Sequence, residues 1–392
     1  MTYPRTTKVF SAGELNDLRR TVAIRSQTRR NLAADPLYAS PLPQEVSMQL
    51  TYRCNLRCEH CFQWNELGFF HNYDSKRKRA ELSIDVVADV LNATSDHRAK
   101  VFLWGGEPLM HSEFAEVASL LSRRPRVVNM CTNGLLMERN ADALLSIGRG
   151  LNLLVSLDGF EAEHEAIRGK GSFQRTIKNI DFMLELQRRG DYRGELSVAC
   201  MVSEAMVGQM YAFTEWAEQT GFNSVYWLFP WFISPSVAAQ MDRLYEASFA
   251  WLNPPEPGAK PTWHSYTYSL PDHSLPILRE QMTRLASRPW KLRVRYQPQL
   301  QDDEVEDFIR GTSRPAQRRS RCLAVSNRIE IHADGRVSSC KFFPEFAIGN
   351  LHDEPMADIW LSERFRRVRG ELREQGLMPV CSKCILLYLS GD

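Results

Sequence analysis

The sequence predicts an α/β fold, a partial (βα)6 barrel with a small α+β domain behind it. Two observations carry this. Short β-rich runs alternate with amphipathic helical stretches over residues 46–229, the pattern of repeated βα units around a parallel sheet. Seven of the nine cysteines fall into two groups, one directly after the first β-rich run and one near the carboxy terminus.

Taken in order, residues 1–45 read as an N-terminal arm. The opening MTYPRTTKVFSAGELNDLRR lacks the apolar core of a signal peptide, and no run reaches the ~18 apolar residues of a membrane span. A cytoplasmic location is the expectation, with no membrane partner and with thiols kept reduced. The barrel spans 46–235, with strands at VSMQLTY (46–52), KVFLW (100–104), RVVNMCT (126–132), LNLLVSLD (151–158), ELSVACMV (195–202) and SVYWLF (224–229). The helices between them show apolar spacings of three and four, as at Ile84, Val87, Val90 and Leu91. Six units stop short of the closed eightfold TIM-type barrel, whose chemistry sits in the loops after the strands.

Residues 236–320 read as a bridging, substrate-facing segment with a helix near 274–287. Its aromatics, with Trp231 and Phe232 just before it and Trp251, Trp263, Tyr266, Tyr268 and Trp290 within it, either wall a pocket or pack the bridge; packing is the reading taken. Residues 321–392 form the second domain. There RIEIHADGRVSSC (328–340) reads as a hairpin turning at Asp334-Gly335, followed by helices around Trp360 and over 362–375.

A net charge of +2 gives no field for nucleic acid or an anionic membrane. The runs KRKR (76–79) and RPAQRRSR (314–321) read as solvated loop faces. Nine cysteines in a reduced compartment point to metal ligands or catalysts rather than disulfides. Cys54, Cys58 and Cys61 stand at C-x3-C-x2-C spacing, one thiolate short of a closed zinc site. Three thiolates can instead hold three irons of a cubane and leave the fourth open.

On these residues the sequence resembles the radical S-adenosylmethionine (SAM) superfamily. The match extends to Gly105-Gly106-Glu107-Pro108 after the second strand, Thr132-Asn133-Gly134 after the third and Ser156-Leu157-Asp158-Gly159 after the fourth. His164–Gly169 and Gly171-Ser172-Phe173 follow. The resemblance implies a [4Fe-4S] cluster on Cys54, Cys58 and Cys61 that binds SAM and cleaves it to a 5′-deoxyadenosyl radical. It implies SAM contacts from Gly105, Gly106, Glu107, Thr132, Asn133, Ser156 and Arg168: glycines for close approach, Glu107 for the SAM amino group, Arg168 for a carboxylate or ribose. His60 departs from the usual aromatic before the last cysteine, and His164 reads as a helix-surface residue.

The second set, Cys322, Cys340, Cys381 and Cys384, is spaced as C-x12-G-x4-C and then C-x2-C. A zinc ribbon would fit four cysteines. The spacing, with FAIGNL (346–351) and Trp360, resembles the SPASM extension in its shortened twitch form. That form implies one auxiliary [4Fe-4S] cluster, fully ligated and suited to electron transfer.

The reading is therefore a radical SAM oxidoreductase of dehydrogenase type, served by a flavodoxin or ferredoxin. Its expected substrate is a polar natural product such as a sugar, aminocyclitol or nucleoside, oxidised or rearranged. The alternative is crosslinking or epimerisation of a ribosomal peptide, with Cys131 or Cys200 as candidate hydrogen donors, although a small buried thiol is the plainer reading of both. A zinc-stabilised nucleic-acid-binding protein is the third possibility, opposed by the neutral charge and the SAM motifs.

Overall fold

The computed structural model describes residues 3–253 and 260–392. Part of the proline-rich stretch 251–271, residues 254–259, thus lies outside the described residues. A ten-stranded sheet forms the centre. Its strands are β1 (Glu45–Gln49), β2 (Lys100–Trp104), β3 (Val128–Thr132), β4 (Leu151–Ser156), β5 (Leu196–Met201), β6 (Ser224–Leu228), β7 (Arg293–Gln297), β8 (Arg328–Ile331), β9 (Arg336–Ser338) and β10 (Ala347–Asn350). They lie in the order β10-β9-β8-β1-β2-β3-β4-β5-β6-β7. The order is linear, so the sheet is the open, partial barrel the sequence predicts.

The six predicted strands, β1 to β6, pair in parallel and in chain order. Burial explains their composition: Val46, Met48, Val101, Leu103, Leu153, Val155, Val198 and Val225 are fully buried or nearly so. The returning helices cover them, and their starts are capped locally; Ser83 Oγ, for example, accepts from the Val86 amide ahead of helix Ile84–Ala93.

Two further strands are parallel to these six. β7, drawn from the segment expected to bridge, pairs with β6. Its sequence RVRYQ alternates between exposed and buried positions because it is an edge strand, so the continuous apolar run of a buried strand is missing. β8 pairs in parallel with β1 on the other side, Arg328 opposite Glu45 and Ile331 opposite Met48. β9 and β10 then continue the sheet antiparallel. The predicted hairpin turn is present at Asp334-Gly335, where Gly335 has φ +80° and a Cβ would lie 2.4 Å from the His352 ring.

The arm is mostly one helix, Ala12–Ala34, opened by a Ser11/Glu14 capping box. Lys8 binds Glu195 beside the start of β5, and Lys100 at the start of β2 donates to Thr21 Oγ1 at 2.5 Å. The start of the arm therefore lies across the amino ends of the strands, while Thr28 and Arg29 further along reach Asn327 and Asp392 beside the second cysteine set. The basic runs are not bare loop faces: Arg77 Nε donates to Asp334 Oδ2 at 3.2 Å, and Arg319 Nη1 to the Gly391 carbonyl at 2.7 Å.

Trp360, fully buried, donates from Nε1 to the Ser40 carbonyl at 2.6 Å and so ties the carboxy-terminal helices to the approach of β1. Trp360→Ala is expected to cost about 3–5 kcal/mol through the cavity it leaves, read as a lowered urea midpoint. An unchanged midpoint would show that this layer is not part of the cooperative core.

Candidate active site

The loops at the carboxyl ends of β1 to β6 enclose one cavity of about 250 Å³, lined mainly by apolar and aromatic side chains. Cys54, Cys58 and Cys61 form one wall, and all seven residues expected to contact SAM line the same space. The cysteine loop packs on Leu56, Ile167 and Leu135. Its backbone is fixed by Glu59 N donating to the Ile167 carbonyl (3.0 Å) and by Trp64 Nε1 donating to the Tyr52 carbonyl (2.9 Å). Burial pushes the Cys54 thiol up to about 12 and that of Cys58 to about 11, the latter against the opposing pull of Arg168. Metal binding here must therefore displace protons.

The two glycines of the GGEP turn line the cavity and also have a close neighbour in the chain itself. A Cβ on Gly105 would stand 2.5 Å from the Thr51 carbonyl oxygen, and one on Gly106 would stand 2.2 Å from that of Arg53. Gly106 N and Glu107 N donate to those same carbonyls, each at 2.8 Å. The glycines let the β2 turn lie directly against the chain that leads into the cysteine loop.

Glu107 is buried and accepts three hydrogen bonds: at Oε1 from Thr132 Oγ1 (2.7 Å) and Leu109 N (3.1 Å), at Oε2 from Asn133 N (2.7 Å). Burial raises its pKa, and these bonds oppose the rise. Thr132 and Asn133, expected at the rim of the SAM pocket, act first on the chain itself. Thr132 holds Glu107, while Asn133 Nδ2 donates to Asn55 Oδ1 at 2.7 Å inside the cysteine loop.

Asp158 is the hub that sequence reasoning missed. Its Oδ2 accepts from Arg168 Nε (2.6 Å) and His60 Nε2 (2.9 Å), and its Oδ1 from Met201 N (2.8 Å). Burial would raise its pKa, but the Arg168 guanidinium and His60 outweigh that and hold it well below the usual carboxylate range. Arg168 in turn places Nη1 3.6 Å from Cys58 Sγ. His60 is thus tied to a carboxylate, its ring edge-on to Tyr268. His164 is fully buried, contrary to the surface position expected, and its Nδ1 accepts from Asp158 N at 3.2 Å. Burial lowers its pKa to about 4. The only sequence signal for this hub was the spacing of Asp158 and Arg168 across one short helix.

The bridging aromatics divide. Trp231, Tyr266 and Tyr268 line the cavity, with Phe62 stacked on Tyr266 at 4.4 Å, whereas Trp263 and Trp290 are buried in the core. Cys131 lines the cavity, and Cys200 is fully buried in the core without reaching it.

Cys322, Cys340, Cys381 and Cys384 ring a second cavity of about 40 Å³. Cys340 follows β9, Cys381 sits in the turn Pro379–Lys383, and Cys384 caps that turn by donating from N to the Cys381 carbonyl at 3.0 Å. Among the described residues no three His, Cys, Asp or Glu side chains close around a single-ion site. Donor sets of sulfur alone, spread around cavities, fit iron–sulfur clusters in both places. Lys341, which the sequence did not single out, lines both cavities.

Asp158→Asn leaves the buried Arg168 guanidinium without its counter-charge, an expected cost of about 3–5 kcal/mol. Because the native pKa of Asp158 is depressed, this stabilisation is present above the ordinary value near ~3.9 and is lost as pH falls below it. The gap in urea midpoint between the metal-free wild type and the variant should hold from neutral pH to about 5 and narrow below about 4. A gap that does not change with pH would contradict the pairing.

With this geometry in place, comparison with known proteins is specific. A radical SAM superfamily profile matches residues 48–194, and one for an iron–sulfur cluster-binding SPASM domain matches residues 322–385. Mycofactocin maturase MftC of Mycolicibacterium smegmatis is 30% identical over 180 residues, 45% of this chain and 42% of that protein. The chain thus spans less than half the length of this relative. AdoMet-dependent heme synthase of Methanosarcina barkeri is 24% identical over 344 residues, 86% of this chain and 88% of that one. The structure of Streptococcus suis SuiB bound to precursor peptide SuiA shares the fold at TM-score 0.57 and 13% identity, over 92% of this chain and 73% of that one. The chain belongs to the radical SAM superfamily, carries a SPASM-type domain behind its barrel, and takes [4Fe-4S] clusters and SAM as its cofactors.

Proposed function

We propose that this enzyme modifies a peptide by radical chemistry, forming a crosslink or an oxidised or epimerised residue. The observation that carries the reading is the similarity to a maturase at 30% identity. Two others support it. SuiB, of the same fold, is described with a precursor peptide bound. The cavity wall is also largely apolar and aromatic, which suits peptide side chains better than the sugar, aminocyclitol or nucleoside expected from sequence, whose hydroxyls would need polar partners.

In this reading Cys54, Cys58 and Cys61 hold the SAM-binding cluster, and Cys322, Cys340, Cys381 and Cys384 the auxiliary one. When bound, the first cluster and SAM supply the 5′-deoxyadenosyl radical that removes a substrate hydrogen. The chain's own residues position the reactants. Glu107 has three of its roughly four lone-pair sites taken by the chain, leaving one on Oε2 to accept from the SAM amino group. Asp158 fixes Arg168 beside Cys58, where the guanidinium favours the thiolate form. Gly105, Gly106, Thr132, Asn133 and Ser156 complete the SAM wall, and Phe62, Trp231 and Tyr266 keep water from the reacting centre. Cys131, which faces the cavity, is the candidate hydrogen donor. A flavodoxin or ferredoxin supplies electrons.

A second reading draws on the heme synthase, whose match runs along most of both chains. It replaces the peptide with a heme precursor.

The test is anaerobic incubation of the reconstituted enzyme with SAM, reductant and synthetic candidate peptides, taken from any short reading frames that flank its gene. Loss of a hydrogen pair from the peptide by mass spectrometry is expected for a crosslink or an oxidised residue, and uptake of one deuterium from D2O for an epimerised one. An unmodified peptide, with SAM cleaved instead in the presence of a porphyrin, sugar or nucleoside, would contradict the reading. Iron should reach about eight atoms per chain, as two cubanes require. Replacing Cys54, Cys58 and Cys61 with alanine should halve it and abolish SAM cleavage. Replacing Cys381 and Cys384 should spare cleavage but remove oxidised product. Zinc at full occupancy after anaerobic reconstitution would contradict the cluster assignment.

A further inference from the structure

We propose that Lys341 binds a carboxylate of the substrate, at the boundary between the main cavity and the cavity ringed by the second cysteine set. Its side chain lines both spaces. The ammonium lies over the Phe102 ring at 4.0 Å and near that of Trp104 at 5.5 Å. Among the described residues, Lys341 Nζ makes no hydrogen bond or ion pair.

Neighbouring charges are already engaged. Cys131 and Cys384, as thiolates, act on Lys341 through space, and so does Glu330. Yet its Oε1 accepts from Ser47 Oγ (2.9 Å) and Trp104 Nε1 (2.6 Å), and its Oε2 pairs with Arg328 at 3.5 Å. Arg168, another cation on the cavity wall, is neutralised by Asp158, and Glu107 is held by three donors. Even with the sulfurs of the second cysteine set nearby, an ammonium that makes no hydrogen bond or ion pair in a largely apolar space is costly to the empty site, and a carboxylate that supplies both gains the most there. Lys341 would therefore select a substrate bearing a carboxylate and hold it toward the second cysteine set.

Peptides carry such a group on Asp, Glu or the terminal residue. The substrate class thus rests on the peptide reading, while the role of Lys341 can be read apart from it. The probes are 4-phenylbutyrate and its neutral amide, titrated into the reconstituted, SAM-loaded enzyme and followed by tryptophan fluorescence, since Trp104 and Trp231 line the cavity. The wild type is expected to hold the carboxylate about tenfold tighter than the amide, the size of one charged hydrogen bond. Lys341→Met should abolish that preference and Lys341→Arg should keep most of it, with iron content and SAM affinity unchanged in both. Should Lys341→Met lose iron, Lys341→Gln provides the same comparison. Equal retention of the two probes by the wild type, absence of binding included, overturns the proposal, and so does a preference that survives loss of the ammonium. A preference that depends on Lys341 in an enzyme that leaves peptides unmodified would instead retire the peptide reading and keep this one.

Discussion

The parallel pairing of β8 with β1 is the constraint on which the rest of the site depends. Arg328–Ile331 lie in register with Glu45–Met48, so the hairpin that delivers Cys340 continues the barrel sheet rather than hanging from it. Side chains lock the same register: Glu330 on β8 accepts from Ser47 on β1 and from Trp104 on β2. β9 runs back against β8 with Ser338 opposite Glu330. Cys340 and Lys341 follow directly, and Lys341 reaches the cavity walled by the first cysteine set. One ladder of backbone hydrogen bonds thus brings two cysteine sets, far apart in the chain, to adjoining spaces.

The second organising element is electrostatic. The cysteine loop, the end of β4 and the helix Glu161–Arg168 meet at the buried Asp158 carboxylate, which takes a guanidinium, an imidazole and a backbone amide at once. A buried acid so fully satisfied specifies one arrangement, because any other leaves a charge unpaired in low dielectric. Glu107 does the same work for β2 and β3. Both acids hold the protein's own loops before any ligand arrives, which makes the site preorganised rather than assembled on binding.

Much of this was legible in the sequence, and the limits are physical. Strands β1 to β6 announced themselves because parallel strands covered on both faces read as apolar runs. β7 did not, since an edge strand needs only alternate burial and its RVRYQ carries two arginines. The hairpin at Asp334-Gly335 was plain from its turn residues, but its partner was not, because strand pairing across some 280 residues leaves no local mark. The cysteines were found by spacing alone. A second role of Gly105 and Gly106 was not legible, since a close approach between two stretches of one chain looks the same in sequence as a close approach to a ligand. His164 was misplaced because a polar residue on an amphipathic helix is read as outward-facing until a buried carboxylate segment is known to sit beneath it. Lys341, next to a cysteine and among aromatics, gave no periodic signal at all.

Hydrogen exchange on the intact chain tests the central claim most directly. If the second cysteine set is part of the barrel, the amides of Arg328–Ile331 should be protected in step with those of Glu45–Gln49 and exchange only with global opening. Exchange of Arg328–Ile331 orders of magnitude faster than that of a still-protected Lys100–Trp104 would mean that the hairpin undocks on its own. The two cysteine sets would then share no fixed cavity.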